Sequence, residues 1–203
     1  VIDAAQTVDS TAVIDDELLD EVTALNEWPI AIIGEFEKEF LNVPSEALIK
    51  TMQDNQKYFP VVDNKHQLKN YFITISNIDS KNKDVVKQGN ERVIRPRLAD
   101  AKFFWEQDQK QALETYGTKL GNVVFQKKLG SLGDKTNRVV ALAENLARQL
   151  DANIDQAKRA ALLSKCDLMT DMVGEFASLQ GIMGKLYATA SGENAAIANA
   201  IDE

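Results

Sequence analysis

The hydrophobic pattern of this chain changes period once, near Asn77, and that change limits the folds open to it. Before it, apolar residues come in short alternating or β-branched runs; after it, helical spacing dominates to the end. Ile30–Phe36 is a mostly apolar run bounded by Pro29, which predicts a buried strand. Tyr58–Val62 and Leu68–Ile78 flank the turn-forming Asp63-Asn64-Lys65. Tyr71, Ile73 and Ile75 alternate with Phe72, Thr74 and Ser76, which predicts an antiparallel hairpin. Helical spacing predicts an acidic amphipathic helix over Asp15–Trp28, and Pro44 opens another through about Gln53. Further on, Val93, Ile94, Leu98, Ala101, Phe104 and Trp105 fit one helix face, with Pro96 expected to kink that helix or delay its start. Helices over Asp134–Leu150 and Asp155–Val173 complete the series, punctuated by Gly130, Gly133 and Gly174. The class is α+β: residues 1–110 form a small antiparallel sheet with helices, including the acidic N-terminal one, and residues 111–203 form a helical portion.

At 203 residues the chain can bury a sizeable core, and no run approaches the length of a membrane span. One cysteine, Cys166, excludes a disulfide scaffold and fits a reducing cytoplasm. One histidine, His66, argues against a self-contained hydrolytic metal site. The termini, with no initiator Met and no signal peptide, are expected to be cuts in a longer protein.

The net charge of −8 is unevenly spread. Residues 1–27 hold eight acids and no Lys or Arg, leaving 23 acids and 23 bases in the rest. Within that neutral remainder, residues 81–102 carry seven bases against Asp84, Glu91 and Asp100, and run into Phe103-Phe104-Trp105. A second cluster sets Lys119, Lys127, Lys128, Lys135 and Arg138 against Asp134 alone. Arginine forks suit phosphates and aromatic rings stack on bases, although such runs are also ordinary solvated faces.

Other motifs carry less. Gly121, Gly130 and Gly133 lack the spacing and the Lys-Ser/Thr ending of a phosphate loop. Cys166, read as mid-helix, has no histidine in its half of the chain to activate it. Asp167, Asp171 and Glu175 stand four apart, a spacing that can present carboxylates to a hard cation or simply to solvent.

Long strings then add a resemblance. Glu27–Val61 (EWPIAIIGEFEKEFLNVPSEALIKTMQDNQKYFPV), Phe72–Ile78, Gly89–Asp108, Val123–Lys135 and Lys165–Gly184 (KCDLMTDMVGEFASLQGIMG) closely resemble the beta subunit of the bacterial two-subunit glycyl-tRNA synthetase. The order is unbroken over about residues 15–203, with one departure: Asn55 stands where that family commonly has His before Gln-Lys-Tyr-Phe. The resemblance implies an internal piece of a cytoplasmic α2β2 ligase that joins glycine to tRNA(Gly). ATP and Mg are then used by the whole enzyme, with glycine and ATP chemistry in the alpha subunit. This piece would have no catalytic residues, no metal and no cofactor of its own, and as partners the alpha subunit and tRNA but neither membrane nor DNA. Residues 111–203 would be an incomplete, all-helical HD-like bundle, yet residues 79–203 contain none of the histidines of an HD phosphohydrolase. The expected tRNA contacts are Arg92, Arg95, Arg97 and Lys102, then Lys127, Lys128, Lys135 and Arg138. The alternatives are a scaffold, in which Arg92, Arg95 and Arg97 pair with Glu91, Asp100 and other acids, or an HD-type phosphohydrolase.

Overall fold

The computed structural model describes residues 1–202, and the chain divides into two compact units, Val1–Phe103 and Phe104–Glu203. The first unit is built on a four-stranded antiparallel sheet of β1 (Thr11–Ala12), β2 (Ile30–Glu35), β3 (Phe59–Val62) and β4 (Leu68–Ser76), in the order β1-β3-β4-β2. Ile73 in β4 faces Ile33 on one side and Phe59 on the other, so the expected hairpin forms and β2 extends it.

Side chains alternate across a strand, which separates the two faces of this sheet. One face carries Phe59, Val61 and Ile73, packed with Ala5 of α1 (Ile2–Gln6) and with Leu18 and Val22 of α2 (Asp16–Leu25). The other carries Tyr58 and Phe72, whose rings stack 4.6 Å apart. Gly34 lies opposite Phe72, and a Cβ there would run into the Phe72 ring, so the strand requires glycine at that point.

Helices α3 (Ser45–Gln56) and α4 (Lys83–Asp108) contribute fully buried Leu48, Met52, Ile94 and Leu98. Each such side chain is worth roughly 2 kcal/mol of burial. The Tyr58 hydroxyl donates to Asn90 Oδ1 at 2.6 Å and ties α4 to the sheet. Helix α4 includes Pro96 in its interior rather than starting after it. The proline is exposed and removes one backbone bond, that to the Arg92 carbonyl, while Ile94, Leu98 and Ala101 hold the helix from its buried side.

The second unit follows α4 with α5 (Leu113–Gly117), a 3₁₀ turn (Thr118–Asn122) and a hairpin of β5 (Val124–Gln126) and β6 (Gly130–Ser131). Helices α6 (Leu132–Gln149), α7 (Ile154–Leu163), α8 (Asp171–Glu175), α9 (Ile182–Ala190) and α10 (Ala195–Asp202) complete it. Helix α6 packs on α7, and α10 on both α7 and α9, around Leu163, Met172, Leu179 and Met183. The hairpin corrects the expectation of a wholly helical second portion: Gly130, at φ +87°, lets the chain turn back into the start of α6.

The single helix expected over Asp155–Val173 is also corrected. It is three pieces: α7, a 3₁₀ turn over Cys166–Met169, and α8. Two interactions break it. Thr170 caps α8, its hydroxyl accepting from Val173 N, and the Asp108 carboxylate accepts from Asp171 N at 2.9 Å and Met172 N at 3.0 Å. A carboxylate more than sixty residues away thus satisfies the first amides of α8, which local periodicity does not reveal.

Candidate nucleic-acid interface

Helix α4 presents the first set of expected contacts, and its geometry divides them. At about 100° per residue, Ile94, Leu98 and Ala101 define the buried side. Arg95 and Lys102 fall on one flank, Arg92 near the solvent pole, and Arg97 on the opposite flank. Arg95 Nε donates to Glu37 Oε1, and Lys102 Nζ donates to Glu39 Oε2 at 2.9 Å, with both acids in or beside the 3₁₀ segment Lys38–Asn42. The Glu37 carboxyl is held below its usual range, first by a backbone hydrogen bond and then by Arg95, although it is largely exposed. Among the described residues, Arg92 and Arg97 have no ion-pair partner, and both are exposed. Glu91 is occupied elsewhere: it lies 3.6 Å from Lys87 and accepts from Glu35 N at 3.0 Å. The aromatic end of the window is partly committed too, because Trp105 stacks on Tyr187 at 5.1 Å.

The second set is brought together. Lys127 and Lys128 stand exposed in the β5–β6 turn, while Lys135 and Arg138 rise from the first turns of α6 beneath it. Lys135 Nζ sits 4.5 Å from the centre of the Phe125 ring, and Arg138 Nη2 donates to the Leu129 carbonyl at 2.9 Å. These two cations hold the hairpin; the two at its tip make no ion pair among the described residues.

The start of α6 is closed to an anion. Ser131 Oγ accepts from Asp134 N at 3.1 Å, and Asp134 Oδ2 accepts from Ser131 N at 2.8 Å, a capping box. The carboxyl of Asp134 is held below its usual range by these Ser131 donors. Gly121 and Gly133 line a cavity of about 390 Å³ here, and their backbones meet so closely that a Cβ on Gly133 would lie 3.1 Å from Gly121 N. These glycines serve packing, and Asp134 stands where a phosphate would sit.

The acidic trio does not form a face. Asp167 is wholly buried in the 3₁₀ turn, whereas Asp171 and Glu175 are exposed at the two ends of α8. Among the described residues no three His, Cys, Asp or Glu side chains gather as a metal site would require. Cys166 is not mid-helix but at the head of that turn, and burial pushes its thiol up to about 11, which keeps it protonated and unreactive. His66 occupies the hairpin turn at φ +60°, exposed.

Two buried aspartates have roles that their spacing in the sequence does not indicate: Asp108 draws no attention there, and Asp167 stands there only as one of three carboxylates four apart. Asp108 accepts from Tyr187 at 2.7 Å and Tyr116 at 3.3 Å besides the two α8 amides, and burial with this carboxylate drives the Tyr187 hydroxyl far above its usual range. Asp167 Oδ2 accepts from Gly181 N at 2.6 Å and Gly184 N at 3.0 Å, capping α9. A Cβ at Gly184 would press on Ile201 and on this carboxylate.

Comparison with known proteins gives these surfaces a context. The family profile described as "Glycyl-tRNA synthetase beta subunit" matches residues 1–203. The chain is 53% identical over 199 residues to the glycine–tRNA ligase beta subunit of Colwellia psychrerythraea, covering 98% of this chain and 29% of that protein. It is 52% identical over 199 residues to that of Acinetobacter baylyi, with the same coverage, and 53% identical over 195 residues to that of Pseudomonas fluorescens, covering 96% and 28%. The chain therefore spans under a third of the length of these relatives. Because the profile matches over all 203 residues, the chain belongs to the glycyl-tRNA synthetase beta subunit family.

Proposed function

We propose that this section binds and positions tRNA within glycine–tRNA ligase, in the cytoplasm, while the alpha subunit performs the ATP- and Mg-dependent joining of glycine. The family match carries the reading, and the exposed cations Arg92 and Arg97 of α4 and Lys127 and Lys128 of the hairpin support it. Free guanidinium and ammonium groups can each neutralise a phosphate, whereas Arg95 and Lys102 must first leave Glu37 and Glu39. The second unit is read as an HD-like bundle that lacks a hydrolase's histidines.

The test is charge reversal in the complete ligase. Arg92→Glu with Arg97→Glu, or Lys127→Glu with Lys128→Glu, should each weaken tRNA binding about tenfold and lower the slope of log affinity against log salt by roughly 1 to 2. Affinity and slope unchanged by both pairs would remove these residues from the interface.

A second reading has its own observation. The Arg95–Glu37 and Lys102–Glu39 pairs fasten α4 to the 3₁₀ segment, as a scaffold would require. Under that reading Arg95→Glu alters stability or assembly, and Glu37→Arg in the same chain restores it, with tRNA affinity unmoved.

A further inference from the structure

Helix α6 leaves its largest apolar side chains on an exposed flank. Its packed side is made of Thr136, Val140, Ala143 and Ala147, small or half-buried residues at helical spacing. The adjoining flank, roughly a quarter turn away, carries Val139, Leu142 and Leu146, with Leu150 just past the helix end, and the last three are 56%, 47% and 77% exposed. The line begins at Lys135, which lies beneath the Phe125 ring of the hairpin. At 1.5 Å per residue the apolar line from Val139 to Leu150 is about 16 Å long, three turns of helix. Single exposed leucines are ordinary, but a continuous stripe of this length on a soluble chain marks an interface.

We infer that this stripe seats an amphipathic helix with an acidic rim, supplied by the part of the same polypeptide that lies outside these 203 residues. Three observations select that occupant. The relatives are each more than three times the length of the stretch that matches, so ample chain exists to cover it. The spacing of Lys135, Val139, Leu142 and Leu146, alternately four and three apart, is the seam along which a second helix packs at a shallow angle. The rim at the hairpin end is net basic, with Lys135 and Arg138 against Asp134, so the covering helix meets it with Asp or Glu. A second copy supplies no such acids from its own stripe: between Val139 and Leu150 the one acid is Glu144, already held by Lys158 at 2.9 Å and Arg148 at 3.0 Å. The inference does not rest on RNA contact, because none of its observations uses Lys127 or Lys128.

The experiment uses the full-length beta subunit, with and without the alpha subunit, carrying Leu146→Cys or, separately, a photoreactive benzoylphenylalanine at position 146. The thiol should be alkylated at least about tenfold more slowly in the native subunit than in urea. The photoreactive residue should cross-link within the same polypeptide, to a peptide outside residues 1–203, whether or not the alpha subunit is present. Alkylation as fast as in urea would overturn the inference. So would a cross-link whose only target is the alpha subunit, a second beta subunit or added tRNA. Since tRNA affinity is not read here, failure leaves the RNA-binding proposal standing, and failure of the charge-reversal test leaves this one standing.

Discussion

Asp167 has no exposed surface, and its surroundings set its proton affinity. Two backbone donors at Gly181 and Gly184 favour the charged form, but burial outweighs them, and its Oδ1 has no partner among the described residues. The carboxyl is therefore raised above its usual range, first by burial. A carboxyl raised in the folded state stabilises the fold below its unfolded value near pH 4 and loses that contribution as pH climbs through the folded value. Asp167→Asn keeps an oxygen for the two glycine amides and removes the titration. The urea midpoint of the variant should therefore gain on that of the native chain between about pH 4 and pH 7. A constant difference across that range would show that Asp167 is charged in the fold throughout. Nothing at the residue scale of the sequence separates Asp167 from Asp171 or Glu175. Their shared spacing presumes one helix, and burial of the first depends on α9 and α10 closing over it.

At the scale of elements, strands and long helices follow from local pattern because their causes are local. Alternation in Leu68–Ser76 and the β-branched run at Ile30 each specify a strand, the Asp63-Asn64-Lys65 turn folds Phe59–Val62 back on the first, and the three pair as antiparallel neighbours. The short helices of the second unit do not, because their first amides are satisfied from afar. Asp108, in the last turn of α4, caps α8 and receives Tyr187 of α9 and Tyr116 of α5, so one carboxylate organises four helices. Asp108→Ala should cost about 3 kcal/mol or more by stranding buried donors, and Asp108→Asn about half as much, measured by chemical denaturation. A loss below about 0.5 kcal/mol for alanine would mean that solvent replaces the carboxylate. Helix α6 is a different case. Its period is correct in the sequence, but the small face made of Thr136, Val140, Ala143 and Ala147 packs inward, and larger leucines do not by themselves say which side does.

For the whole molecule, the charge arithmetic places bases but not their partners. Arg95 and Lys102 are engaged by Glu37 and Glu39, acids about sixty residues upstream that sequence proximity does not link to them, while Arg92 and Arg97 extend from other sides of the same helix. Lys127, Lys128, Lys135 and Arg138 gather because a hairpin that gave no strand signal folds onto α6. No helix among the described residues is long and apolar enough to cross a membrane. The proposed tRNA-binding role has RNA leaning on the exposed cations while the chemistry takes place in another subunit. Its most direct test is the rate of chemical modification of Lys127 and Lys128, and of Arg92 and Arg97, in the intact ligase with and without saturating tRNA. Protection of at least about threefold is expected at one or both pairs as phosphates displace solvent from them. Identical rates at all four residues with tRNA bound would contradict it.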